Sequence, residues 1–117
     1  MKPGTNGTII LDHIAEVETA QIVLYKARKY GVEPDKRRDA SAPLGEYDYP
    51  NVPAELTFGQ AAGILTAAKW ARKNDLTGGS TLDLSEQHET ELIAMLEAHL
   101  PPEFQDVESS ATNNPSA

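Results

Sequence analysis

The sequence predicts a mainly α fold, with three helices over about 12–30, 57–75 and 85–100 and a long Pro- and Tyr-containing connection between the first two. Three observations lead there. Apolar residues recur at helical spacing in each window. Each window opens on a capping residue and runs into Gly or Pro. Strand character is confined to short runs: Thr8–Leu11 and Thr81–Leu84 alternate, and can pair as a minimal two-stranded ribbon, 8–11 with 81–84.

Residues 1–8 read as a flexible lead, in which Asn6-Gly7-Thr8 matches a glycosylation sequon that has no secretion signal to give it meaning. Asp12 is a suitable N-cap for the first helix, and Glu16 and Glu18 suit its positive end. Ile10, His13, Val17, Ala20, Leu24 and Ala27 form its apolar stripe, with Ile14 and Tyr25 at the edge. His13 is expected there as a half-buried packing residue. Ile22 and Val23 lie off the stripe, so contact from more than one side is expected. Lys26, Arg28 and Lys29 fill the last turn, Gly31 suits C′, and Pro34 blocks continuation.

Residues 32–56 hold four of the eight prolines and lack periodicity, and read as an extended arm. An irregular connection of this length is uncommon inside a compact domain unless it has a function. The basic triplet Lys36-Arg37-Arg38 can form one positive patch with Lys26, Arg28 and Lys29, or a solvated turn neutralised by Glu33, Asp35 and Asp39. Tyr47 and Tyr49 alternate in an extended segment suited to lying across a surface, either the chain's own helices or a partner.

The stretch 57–75, TFGQAAGILTAAKWARKND, is the strongest helix signal. Thr57 and Gln60 fit a capping box. Phe58, Ala61, Ile64, Leu65, Ala68 and Ala71 form the core stripe, while Gly59, Gly63 and Trp70 align on the opposite side. A mid-helix Gly costs about 1 kcal/mol relative to Ala. Two on one ridge therefore point either to close approach of another backbone, with Trp70 as an anchor, or to a tolerated cost in a weak first turn. The segments TFGQAAGIL and WARKNDL resemble the opening of winged or excisionase-type helix-turn-helix motifs, which implies a DNA-reading helix pair. The turn that separates the two helices in those families is missing here.

Leu76-Thr77-Gly78-Gly79-Ser80-Thr81 is a turn without the Lys-Ser/Thr ending of a phosphate loop. Asp83 with Glu86, or Ser85 alone, caps the third helix, whose apolar face is Leu92, Ile93, Leu96 and Leu100 before Pro101-Pro102. His88 and His99 share an azimuth but stand about 16 Å apart along a helix, too far for one metal ion. Residues 105–117 read as a disordered polar tail, so residues 9–104 form a single small helical domain.

Leu, Ile, Val and Phe total 24 of 117 residues, just above the ~20% below which chains tend to disorder. The core is therefore thin, and self-association is a natural way to enlarge it. With no cysteine there is no disulfide or thiolate chemistry. No apolar run reaches membrane-spanning length, so a cytoplasmic protein without membrane partners is expected. The charge of −8 arises wholly beyond residue 80, since residues 1–79 carry ten acidic and ten basic side chains. Direct nucleic-acid binding is disfavoured by that balance.

No catalytic constellation emerges, so neither an enzyme nor a cofactor is expected. The leading expectation is a protein-interaction or assembly protein that contacts a partner or itself through Gly59, Gly63, Trp70, Tyr47 and Tyr49. Loose ends and a long arm around few helices are common among bacteriophage structural and accessory proteins. One alternative is an acidic inhibitor whose Glu86, Glu89 and Glu91 cover a basic, nucleic-acid-binding surface of a host protein. Another is a small-anion binder at a subunit interface, using Lys26, Arg28, Arg37 and Arg38.

Overall fold

The computed structural model describes residues 1–30, 38–46, 48–73 and 83–105. Their order is β1 (Lys2–Pro3), β2 (Thr8–Leu11), α1 (Ile14–Lys29), α2 (Ser41–Leu44), β3 (Gly45–Glu46), β4 (Tyr49–Pro50), β5 (Ala54–Thr57), α3 (Phe58–Lys73), α4 (Asp83–His99) and α5 (Pro102–Gln105). The fold is mostly helical with a small antiparallel sheet. Three long helices match the expected windows, and two single-turn helices add to them.

The ribbon is paired differently from the sequence expectation. β2 is the central strand of a sheet in the order β1-β2-β5. Its partners are Lys2 and Pro3 on one side and Ala54–Thr57 on the other, with Ile9 opposite Leu56 and Leu11 opposite Ala54. Of the proposed partner 81–84, Asp83 and Leu84 begin α4, and residues 81–82 lie outside the described residues. The alternation in β2 and β5 puts Ile9, Leu11, Ala54 and Leu56 inward, all buried. Residues 1–8, expected as a flexible lead, contain β1 and a turn in which Asn6 and Gly7 both take positive φ (58° and 76°). Asn and Gly are the residues that take positive φ at low steric cost.

Asp12 is not the N-cap of α1. That position is His13, which makes no side-chain cap bond and is exposed. Asp12 and Glu16 instead bind the Met1 ammonium, each at 2.7 Å. Burial works against that ammonium, but its bonds to the two carboxylates outweigh this and raise its pKa. The bond from the ammonium in turn holds Asp12 below the usual carboxylate range. The buried face of α1 is also wider than one stripe, including Val23 and Gln21 beside Val17, Ala20, Leu24 and Ala27.

The Thr57–Gln60 capping box forms as expected: the Gln60 N–H donates to Thr57 Oγ1 at 3.1 Å, and the Thr57 N–H to Gln60 Oε1 at 2.9 Å. From there α3 runs without interruption, packing on α1 and α4. Ala61, Ala62, Ile64, Leu65, Ala67, Ala68 and Ala71 are buried along it. Gly63 marks a close backbone approach, because a Cβ there would lie 2.6 Å from the Arg38 carbonyl oxygen. Trp70 is half-buried, its ring tilted against Tyr30 at 6.4 Å. The far end of the chain returns to α3, with Phe104 of α5 5.5 Å from the Phe58 ring.

Replacing a mid-helix Gly by Ala normally gains about 1 kcal/mol. At Gly63 the added methyl would press on main chain, and overpacking costs about 1–3 kcal/mol. Gly63→Ala is therefore expected to lower stability by about 1 kcal/mol in urea unfolding, against the helix-propensity sign.

The Met1 cluster predicts a pH dependence at both extremes. Asp12 has a depressed pKa, so its contribution is present above the ordinary carboxylate value and lost as pH falls through its lowered folded value. The ammonium has a raised pKa, so its contribution is present below its ordinary value and lost as pH rises through the raised one. In Asp12→Asn, denaturant midpoints followed against pH should fall less steeply at both ends.

Candidate functional site

The described part of the long connection, residues 38–46 and 48–56, is tied to the chain's own helices. Gln60 Nε2 donates to the Asp39 carbonyl at 3.3 Å, linking the start of α3 to this segment. The Asp39 carboxylate accepts from the Ser41 N–H at 3.0 Å and from Arg28 Nη2 at 2.9 Å. Arg28 also bonds the Ser41 hydroxyl. The Ser41 bonds foremost, with Arg28 adding to them, hold the Asp39 carboxyl below its usual range. α2 is thereby clamped against the last turns of α1.

Two turns back along α1, Gln21 is buried, and its amide nitrogen lies 3.2 Å from the carbonyl oxygens of Leu44 and Gly45 and 3.1 Å from that of Glu46. Those carbonyls belong to the junction of α2 and the hairpin β3–β4, in which Glu46 pairs with Tyr49. Gly45 has φ of 83°, and a Cβ there would come 2.7 Å from the Tyr49 carbonyl oxygen. Both the conformation and the space call for Gly. Asn51 closes the loop, its N–H donating to the Leu44 carbonyl at 2.8 Å and its side-chain amide to that of Pro43 at 3.0 Å.

Between α1 and α2 these contacts leave a half-open hollow of about 150 Å³, lined by Gln21, Leu24, Tyr25, Arg28, Ser41 and Leu44. Its floor is apolar, since Leu24 and Leu44 are buried. Tyr25 stands at the rim, 59% exposed, and Tyr49 on the adjoining hairpin is 76% exposed. The hairpin meets α1 at Gln21, one turn before Tyr25.

The structure separates the residues that the sequence grouped as an interaction surface. Gly63 faces Arg38 main chain and Trp70 contacts Tyr30, both within the chain. Gly59 is half-buried in the first turn of α3, Tyr49 is exposed, and Tyr47 lies outside the described residues. Of the anion-contact group, Lys26 binds Glu89 at 3.1 Å and Arg28 binds Asp39. Arg38 is half-buried, and Arg37 lies outside the described residues.

The expected acidic face is corrected at Glu89. It is 1% exposed, turned into the α1–α4 contact toward Lys26, and its Oε1 has no hydrogen-bond partner. Glu91 is exposed and accepts a bond from Gln87 at 3.3 Å. Glu86 lies in the first turn of α4, its side chain outside what is described.

Sequence reasoning placed Tyr25 only at the edge of the α1 stripe and passed over Leu24 and Leu44 as a floor. The alternation at Leu44, whose N–H bonds to the Ala40 carbonyl in a single turn, is too short to register as a helix period. Among the described residues no group of three or more His, Asp or Glu could hold a metal ion, and no helix is long and apolar enough to cross a membrane. Comparison with protein-family models, curated proteins and solved structures finds no match for the chain.

Gln21 joins the main-chain carbonyls of Leu44, Gly45 and Glu46, the first of them by a fully buried bond. Gln21→Ala should cost about 1–3 kcal/mol, the penalty for buried polar groups that lose their partner. Hydrogen exchange should show the loss concentrated at residues 44–51, with the strands of the β1-β2-β5 sheet little changed.

Proposed function

We propose that the protein is a non-enzymatic interaction or assembly protein, which contacts a protein partner or a copy of itself through the α1–α2 hollow and the adjoining hairpin. The observation that carries this reading is the exposed Tyr25 at the rim of a hollow with an apolar floor, with a second exposed ring, Tyr49, on the hairpin that packs against α1. Tyr is enriched at interfaces because it brings a large contact area for little conformational entropy, and it works best beside a desolvated pocket. Neither ring belongs to the chain's own core.

This surface replaces the Gly59/Gly63/Trp70 side as the candidate contact, because Gly63 and Trp70 already meet parts of the same chain. The two alternatives have less support. Glu89 is engaged inside the fold, which removes a member of the acidic face, and both Lys26 and Arg28 are engaged by carboxylates. Assembly within a bacteriophage particle is one setting for this role.

The test is the double substitution Tyr25→Ser with Tyr49→Ser in the full chain. Light scattering at low and high concentration reads self-association, and affinity capture from the native host reads a foreign partner. Interface hot spots contribute about 2 kcal/mol, so association of either kind should weaken roughly thirtyfold with circular dichroism unchanged. A variant that assembles and captures as well as the wild type overturns the proposal.

A further inference from the structure

Resting on that reading, we infer that the partner is a different protein, which presents a basic segment: an aliphatic or single-ring side chain seated in the hollow, flanked by Lys or Arg. Size limits the anchor. A cavity of about 150 Å³ walled by aliphatic groups is enough to hold benzene, so this hollow takes one Leu-, Met- or Phe-sized side chain.

Charge selects the flanks. Among the described residues the one cation that lines the hollow, Arg28, is neutralised by Asp39 at 2.9 Å. The elements that form and adjoin the hollow carry three exposed carboxylates: Glu18, three residues before Gln21 on α1, and Glu46 and Asp48 on the hairpin. Among the described residues none of the three has an ion-pair partner. The nearest other cation on α1 without a carboxylate partner is Lys29, which sits at the end of the helix with its Nζ 5.9 Å from the Tyr30 ring centroid. Tyr25 and Tyr49 offer two exposed ring faces of the kind that attract Lys and Arg side chains.

The same charges disfavour a second copy docked symmetrically, since each protomer would bring three unpaired carboxylates against the other's three. A chain of net charge −8 also repels copies of itself and attracts a basic partner at long range.

Selection of a random displayed-peptide library on the immobilised full chain tests this without knowledge of the natural partner. Selected peptides should carry an aliphatic or aromatic residue between Lys or Arg. Their binding should fall at least tenfold in Tyr25→Ala and in Glu46→Lys with Asp48→Lys, and should weaken with added salt. The substituted positions are exposed, so folding is checked directly by circular dichroism. Acidic or neutral binders that still depend on Tyr25 would overturn the basic-partner inference and leave the interaction surface standing. Binders indifferent to all these substitutions, or no enrichment at all, would overturn the hollow as a docking site, while the Tyr25/Tyr49 assembly and capture assays separately decide the broader reading.

Discussion

The antiparallel pairing of β2 with β5 is the constraint on which the rest of the molecule depends. It joins residues 8–11 to residues 54–57 and closes a loop that contains α1, α2 and the hairpin. Because the strands are antiparallel, α1 and α3 leave the sheet from opposite ends, and each folds back across the same buried set, Ile9, Leu11, Ala54 and Leu56. The closure entropy of such a loop grows only slowly with its length. What repays it is the inward face of the sheet together with the α1–α3 contact.

That contact is made largely of small residues. Alanine buries little area, so a core with Ala20, Ala27, Ala61, Ala62, Ala67 and Ala68 depends on close approach more than on bulk. The Arg38 main chain against Gly63 is one consequence. Polar clamps do the remaining positioning at the edges: the Met1 ammonium between Asp12 and Glu16, Asp39 between Ser41 and Arg28, and Gln21 on three carbonyls. Lys26 and Glu89 are the less comfortable case. Two charges drawn into a helix contact, with one carboxylate oxygen unpaired, contribute little net stability, but loss of Lys26 would leave a buried Glu89 carboxylate uncompensated.

The candidate surface follows from the same geometry. α2 and the hairpin are held against α1 at only a few points, and between those points lies the hollow with Leu24 and Leu44 beneath it. The clamp between Asp39 and Arg28 also pairs the cation that lines the hollow among the described residues. An apolar floor beside an exposed tyrosine is thus a by-product of how the connection is fastened.

What the sequence by itself determined is local: three long helices, their ends within two residues, the Thr57–Gln60 capping box, and a Gly at position 63 suited to a close backbone. These rest on periodicity and capping, which operate within a few residues of one another. Asn6-Gly7 is an equally local turn signal, read from the sequence as part of a flexible lead; the strand before it, β1, is two residues long. What only the tertiary structure decided is non-local. Strand alternation says which face of 8–11 turns inward but names no partner, so β5 could not be told from 81–84. A charged residue at helical spacing has no mark that distinguishes a solvated carboxylate from one turned toward a lysine sixty-three positions away, as Glu89 is. Burial depends on which elements meet, and that is settled by the summed packing of the whole chain.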